Sequence, residues 1–202
     1  MQSVKKRTCG QPGVTKGCGC QKGDPAELNS LAAIVTDYKR CGYGCLDAEL
    51  ASFCKPEALL DAVKLAAASR NDAGKKLKHQ WRIKDTTLDE AKIAIAKNVA
   101  LIKKCKSFDE IHDLVTMLCK PIKGVRKLYC YDVSLRISAK LNLLPAKVYL
   151  HNGVIKGAMA LLKRDVKEDI LLPTDFPSPL SKLPAHHIEN LLCIYCDAFK
   201  LL

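Results

Sequence analysis

Apolar residues recur along the chain at three- and four-residue intervals, the spacing that lays a stripe along one face of an α-helix. Leu28, Leu31, Val35 and Tyr38 make the first stripe behind an Asp24-Pro25 start, and Gly42 to Gly44 end it. Shorter helices are expected from about Leu46 to Phe53 and from about Pro56 to Ala68, with Leu59, Val63 and Ala66 on one side of the latter. Thr86 and Asp89 mark a new start, and Leu88, Ala91, Ile95, Val99 and Ile102 form one continuing stripe behind it. Ser107 and Glu110 have the spacing of a capping box ahead of Phe108, Ile111, Val115 and Leu118, and Pro121 closes that helix. The stretch from Leu128 to about Leu143 is apolar on more than one face, which predicts the most buried element of the molecule. A helix from about Gly153 to Lys163 and a proline-rich connection lead to a closing helix over Ala185 to Phe199. Its inner side reads Ile188, Leu191, Tyr195 and Phe199, and His186-His187 stand at a solvated or capping start. No alternating strand pairs joined by tight Asn-Gly or Asp-Gly turns occur, and no repeat of 20 to 50 residues. The expected fold class is all-α, one multi-helix domain over 24–202.

Composition supports that expectation. Of 202 residues 48% are hydrophobic and only 5% aromatic, enough apolar surface for a sizeable core and too few aromatics for a sandwich or barrel. Thirty-three Lys and Arg against 21 Asp and Glu leave a formal charge of +12, which suits an anionic partner. Residues 1–23 carry Lys5, Lys6, Arg7, Lys16 and Lys22 with no acidic residue, and read as a basic arm. The sequence contains no run long and apolar enough to span a membrane and no apolar leader segment, so the expectation is an intracellular protein, cytoplasmic or nucleoid-associated, without a membrane partner. Oligomeric state is not legible.

Chemistry concentrates at Pro121-Ile122-Lys123-Gly124-Val125-Arg126-Lys127-Leu128, a short turn between two expected helices. Gly124 stands where a positive φ would be wanted, the amides opening the next helix can face a phosphate, and Lys120, Lys123, Arg126 and Lys127 surround the turn with positive charge. This stretch resembles the helix-hairpin-helix DNA glycosylase superfamily, whose hairpin reads Leu-Pro-Gly-Val-Gly; here Gly124-Val125 matches and Arg126 replaces the second glycine. Leu144-Pro145-Ala146-Lys147-Val148-Tyr149-Leu150-His151 looks like the Pro-Ala to Val-Asp-Thr-His segment of the same superfamily, so the resemblance covers roughly 107–163. It implies a helix-hairpin-helix core and contact with DNA. The aspartate of active members falls on Tyr149, and the lysine nucleophile of bifunctional members falls on Leu128 or Tyr131, neither of which can form a Schiff base. A divergent, non-excising relative is therefore implied. Weak catalytic candidates are Asp132, which also has the spacing of an i, i+4 ion pair with Arg136, together with Tyr149 and His151.

Trp81, among Lys75, Lys76, Lys78 and Arg82, is either a core residue or a platform on which a base stacks beside a phosphate-tracking patch. The glycine-flanked Cys9, Cys18 and Cys20, with Cys41 or Cys45 as a fourth, are candidate ligands of a structural zinc, although they lack paired Cys-x2-Cys knuckles. The remaining thiols, Cys193 and Cys196 included, read as reduced and mostly core. The four close cysteines of the iron-sulfur cluster that some glycosylases carry are absent, as are a phosphate loop, a nucleophile elbow and a metalloprotease helix. The leading expectation is a nucleic-acid-binding protein, with DNA as the partner, that grips backbone phosphates at the hairpin. An enzyme of the same architecture with different catalytic residues, and a helical scaffold whose charge only solubilises it, are the alternatives.

Overall fold

The computed structural model describes residues 23, 27–71 and 74–202. These are mostly helical, and they divide into two compact units where the sequence predicts one domain: one formed by the described part of Met1–Ala48 with Ala146–Leu202, the other by Glu49–Pro145.

The first unit contains α1 (Leu31–Tyr38), a π-turn over Lys39–Tyr43, the start of α2 (Gly44–Cys54), α8 (Asn152–Leu162) and α9 (Ala185–Ile194). The expected start at Asp24-Pro25 lies outside the described residues apart from its sequel. Ser30 caps α1 instead, its Oγ accepting from the Ala33 amide at 3.2 Å. Two-residue strands β1 (Val148–Tyr149) and β2 (Ile170–Leu171) pair antiparallel, Val148 opposite Leu171. Ile34, Tyr38, Val154, Ile188, Leu191 and Phe199 form the core of this unit. Gly157 on α8 faces the backbone of α9: a Cβ there would lie 2.2 Å from the Leu192 carbonyl oxygen, so only glycine permits this approach. The closing helix is shorter than its stripe suggests. It releases at Tyr195, whose buried hydroxyl donates to Asp37 Oδ2 at 2.8 Å, and Phe199 returns to the core on a 3-10 turn, Ala198–Leu201. The histidines at its start are buried, not solvated, because α9 inserts its first turn beside Tyr38 and Tyr43.

The second unit packs α3 (Leu59–Ala68) on α4 (Asp85–Ala96), and α6 (Phe108–Cys119) on α7 (Lys127–Leu141), with α3 also against α7 and α4 against α6. The long stripe predicted from Leu88 to Ile102 is carried by two helices, α4 and α5 (Val99–Ile102). The chain leaves the helix at Asn98, whose side-chain amide donates back to the Ala94 carbonyl at 2.9 Å. Ser107 caps α6 through the Glu110 amide at 3.2 Å, but Glu110 returns its carboxylate to the Lys106 amide, one residue before the reciprocal bond of a full capping box. Helix α7 is the buried element the sequence predicts: Tyr129 through Ser138 are all buried. It stops at Asn142, in the left-handed region at φ 57°, where the Leu143 amide bonds back to the Ser138 carbonyl at 2.9 Å. No helix among the described residues is long and apolar enough to cross a membrane.

Candidate nucleic-acid interface

The turn between α6 and α7 has the backbone its sequence asks for. The Val125 amide donates to the Ile122 carbonyl at 3.3 Å, closing a β-turn whose third residue, Gly124, has φ +95°, a conformation glycine adopts without strain. Lys120, Lys123, Arg126 and Lys127 are all exposed, while Ile122 is buried and ties the turn to the core. Helix α7 begins after Arg126, which supplies no side-chain acceptor to the first-turn amides.

Forty residues earlier the chain supplies a second wall. Arg82, Ile83, Lys84, Thr86 and Thr87, at the entry to α4, face Pro121, Lys123 and Gly124 across a cleft of about 710 Å3, with Glu90 as the acidic member of the lining. Gly124 sits against Thr87: a Cβ on it would be 3.6 Å from Thr87 Cγ2, ordinary contact. Lys84 is the N-cap of α4 and offers no side-chain cap, so the positive end of a twelve-residue helix opens at the cleft without one. The acid in that first turn, Asp85, is held by Lys76 Nζ at 2.8 Å and Arg70 Nη2 at 2.7 Å, and these cations bring its carboxyl below the usual range. Lys76 also donates to the Ile83 carbonyl at 2.8 Å, so this lysine braces the cleft wall.

Trp81 precedes Arg82 and is 71% exposed, which removes the core reading of this residue. Lys78, Arg82 and Lys84 are exposed around it in sequence. Its position is set from below by Asp132 on α7. Gln80 Nε2 donates to Asp132 Oδ2 at 2.5 Å, His79 Nδ1 lies 3.0 Å from the same oxygen, and Arg136 Nη2 is 3.8 Å away. Arg136 further reaches Gln80 Oε1 at 3.4 Å, Ser69 Oγ at 3.2 Å and Glu49 Oε1 at 3.3 Å, and lies over the Phe53 ring. Burial pushes the Asp132 carboxyl up, but His79, Arg136 and Gln80 together outweigh it and hold the group well below the ordinary carboxylate range. Asp132 thus stands in a buried structural network that fixes the turn carrying Trp81, and the i, i+4 contact with Arg136 is one part of it. A base in catalysis needs a carboxylate open to a substrate proton, and this one is enclosed.

The other predicted site residues lie elsewhere. Tyr149, on β1, and His151 belong to the first unit and are buried; His151 Nε2 pairs with Glu189 Oε1 at 2.5 Å, a buried contact between α9 and the N-cap of α8. Of the proposed zinc ligands, Cys9, Cys18 and Cys20 lie outside the described residues and Cys41 is buried and reduced. Cys45 is disulfide-bonded, against the expectation of reduced thiols, whereas Cys54, Cys105, Cys119, Cys130, Cys193 and Cys196 are reduced. Cys193 and Cys196 are only partly buried, because the helix ends between them.

The hairpin glycine and its lysine were readable from the sequence. The wall made by Lys84, Thr86 and Thr87 was not: Thr86 reads there as a capping hydroxyl, and nothing in the sequence links it to a turn so far along the chain. The basic run around Trp81 was the available signal. Among the four hairpin cations only Lys123 lines the cleft; Lys120, Arg126 and Lys127 are exposed at the same turn without contributing to its wall. Comparison with protein-family models, curated proteins and solved structures returns no match to this chain.

Proposed function

We propose that the protein binds nucleic acid, with DNA as its partner, by gripping backbone phosphates in the cleft between the α6–α7 turn and the start of α4. The observation that carries this reading is the convergence of Lys123 and Gly124 with Arg82, Lys84 and the hydroxyls of Thr86 and Thr87 on one concave wall. Lysine and arginine supply charge, threonine hydroxyls donate hydrogen bonds, and the uncapped helix start adds its dipole, a set that suits a phosphate oxygen. In this reading α6, the turn and α7 act as a helix-hairpin-helix, Gly124 allowing the close approach of the strand. Trp81, exposed next to Arg82, stacks an unpaired base. The positions that carry the glycosylase aspartate and lysine are Tyr149 and Leu128 or Tyr131, so the reading is of binding without base excision.

The test is a salt-resolved anisotropy titration of the folded protein with single-stranded, duplex and abasic-site DNA and with a structured RNA. It compares the wild type with a Lys84→Glu, Lys123→Glu variant whose fold is verified by circular dichroism. Each phosphate contact contributes about 0.9 to the log-log salt slope on duplex DNA, so losing two contacts makes the slope shallower by about 1.8. Unchanged binding in the folded variant, or retention of an acidic protein surface in place of every nucleic acid, overturns the proposal.

A further inference from the structure

Three metal-ligating side chains of the first unit meet away from the cleft. Asp47, near the start of α2, and His186 and His187, in the first turn of α9, bring one ligand atom each to within 4.8 Å of one another. A tetrahedral Zn2+ with bonds of 2.0–2.1 Å needs neighbouring ligand atoms about 3.4 Å apart. His187 Nε2 and Asp47 Oδ1 already lie at 3.1 Å. The two imidazole rings are 4.4 Å apart between centroids.

A second, independent feature points to a ligand there. His186 is 4% exposed, and its Nδ1 has no hydrogen-bond partner in the fold. A buried ring nitrogen in that condition is destabilising unless something takes its place as partner.

The surroundings orient His187 as outer-shell groups orient metal-bound histidines. Its Nδ1 lies 2.9 Å from the buried Tyr38 hydroxyl, which also accepts from Asn190 Nδ2 at 3.1 Å. Tyr43 stacks flat on the same ring, 3.6 Å between centroids and 3° between planes. In the metal-free protein His187 Nε2 is hydrogen-bonded to Asp47 Oδ1, and with the ring proton on Nδ1, next to Tyr38 Oη, the Nε2 lone pair becomes available to a metal on the Asp47 side. The histidines are buried while the Asp47 side chain is 52% exposed, so the cluster has a solvent side for entry and for a fourth, exogenous ligand.

From this geometry we infer that Asp47, His186 and His187 form a binding site for a divalent transition-metal ion of the zinc class, with Tyr38 as the positioning residue behind His187. The ligand set is two imidazoles and one carboxylate, which suits Zn2+ and Co2+ and is too poor in oxygen for Ca2+ or Mg2+. It is separate from the cysteine-based zinc expected in the N-terminal arm, and it does not depend on nucleic-acid binding.

The test is titration of the full chain with Co2+, followed by competition with Zn2+. One Co2+ per chain is expected, with visible ligand-field bands and without the near-ultraviolet charge transfer that thiolate ligation produces. Asp47→Ala, at an exposed position that tolerates truncation, and His186→Gln should each weaken the metal by more than about 100-fold, beyond what loss of an outer-shell partner costs, whereas Tyr38→Phe should weaken it by about 10-fold. Circular dichroism of each metal-free variant confirms that the fold survives. Absence of saturable binding, thiolate charge transfer at the first equivalent, or wild-type affinity in folded Asp47→Ala overturns the inference.

Discussion

Two residues of the second unit show how far a single side chain, or the lack of one, decides the site. Gly124 has room for a methyl group, since the nearest contact would be Thr87 Cγ2 at 3.6 Å, so the only obstacle to a side chain is φ +95°. Gly124→Ala should therefore cost about 1–2 kcal/mol in urea unfolding, the penalty of holding an L-residue at positive φ, without a packing defect. A cost near zero would mean that the turn relaxes to negative φ and that the cleft wall is not fixed. Asp132 works through ionisation. Its carboxyl is depressed in the fold and returns to about 3.9 in the unfolded chain, so it stabilises the fold fully above the latter value, and that stabilisation is lost as pH falls below it. His186 and His187 in the first unit lose theirs earlier. Both are depressed to about 4 from about 6.5, so in the metal-free protein they stabilise fully above 6.5, and that contribution falls away as pH drops from there to about 4. Amide exchange followed from pH 7 to pH 3 should thus lose protection in α9 before α7. Simultaneous loss in the two helices, or loss in α7 first, would contradict these assignments.

At the scale of elements, the sequence reveals a helix where its own stripe decides the matter and fails where a distant partner does. Helix α7 was legible because its apolar residues surround it, and α6 because Ser107 and Pro121 bracket a clean stripe. The break at Asn98 and the early release of α9 at Tyr195 were not, since the stripes run on unbroken through both; a hydrogen bond to Ala94 and one to Asp37 decide them. The cleft followed the same division. Its glycine turn is local and was readable, while its other wall depends on α4 packing against α6 and on Asp132 holding the Trp81 turn. The histidines of α9 were misread as solvated because two adjacent polar residues at a helix start ordinarily are, and only the aromatic side chains of α1 and the π-turn reveal otherwise. Gly157 shows the same dependence in packing. Its lack of a Cβ leaves no trace in the apolar stripe, yet a methyl group there would overlap the Leu192 backbone, which cannot swing aside as a side chain would. Gly157→Ala should destabilise the first unit by at least about 2 kcal/mol, at the upper part of the range for overpacking, and lower the thermal midpoint accordingly. Wild-type stability in that variant would show that α8 and α9 can separate at little cost.

For the molecule as a whole, charge is the property that ties the sequence to the proposed function, and it is unevenly placed. Residues 49–145 carry 19 Lys and Arg against 11 Asp and Glu, a net of +8 out of the chain's +12, so the unit that contains the cleft contains two thirds of the excess. Part of that charge is internal support: Arg70 and Lys76 hold Asp85, Arg136 is buried in the Asp132 network, and Lys140 donates to the carbonyls of Cys54 and Pro56. The cleft cations Arg82, Lys84 and Lys123 remain for a polyanion, which sets a log-log salt slope of about −2.7 on duplex DNA if all three reach phosphates. Trp81 separates this electrostatic part from recognition of unpaired bases. A stacked base is worth about 1–3 kcal/mol, so Trp81→Ala should weaken single-stranded DNA by roughly 5- to 150-fold while leaving duplex affinity and the salt slope nearly unchanged. Because Trp81 is exposed, the substitution removes no core contact, and quenching of its fluorescence by the single strand gives an independent reading on the wild type. Equal losses on single strand and duplex would place Trp81 in general surface contact, and no loss on either would remove it from the interface.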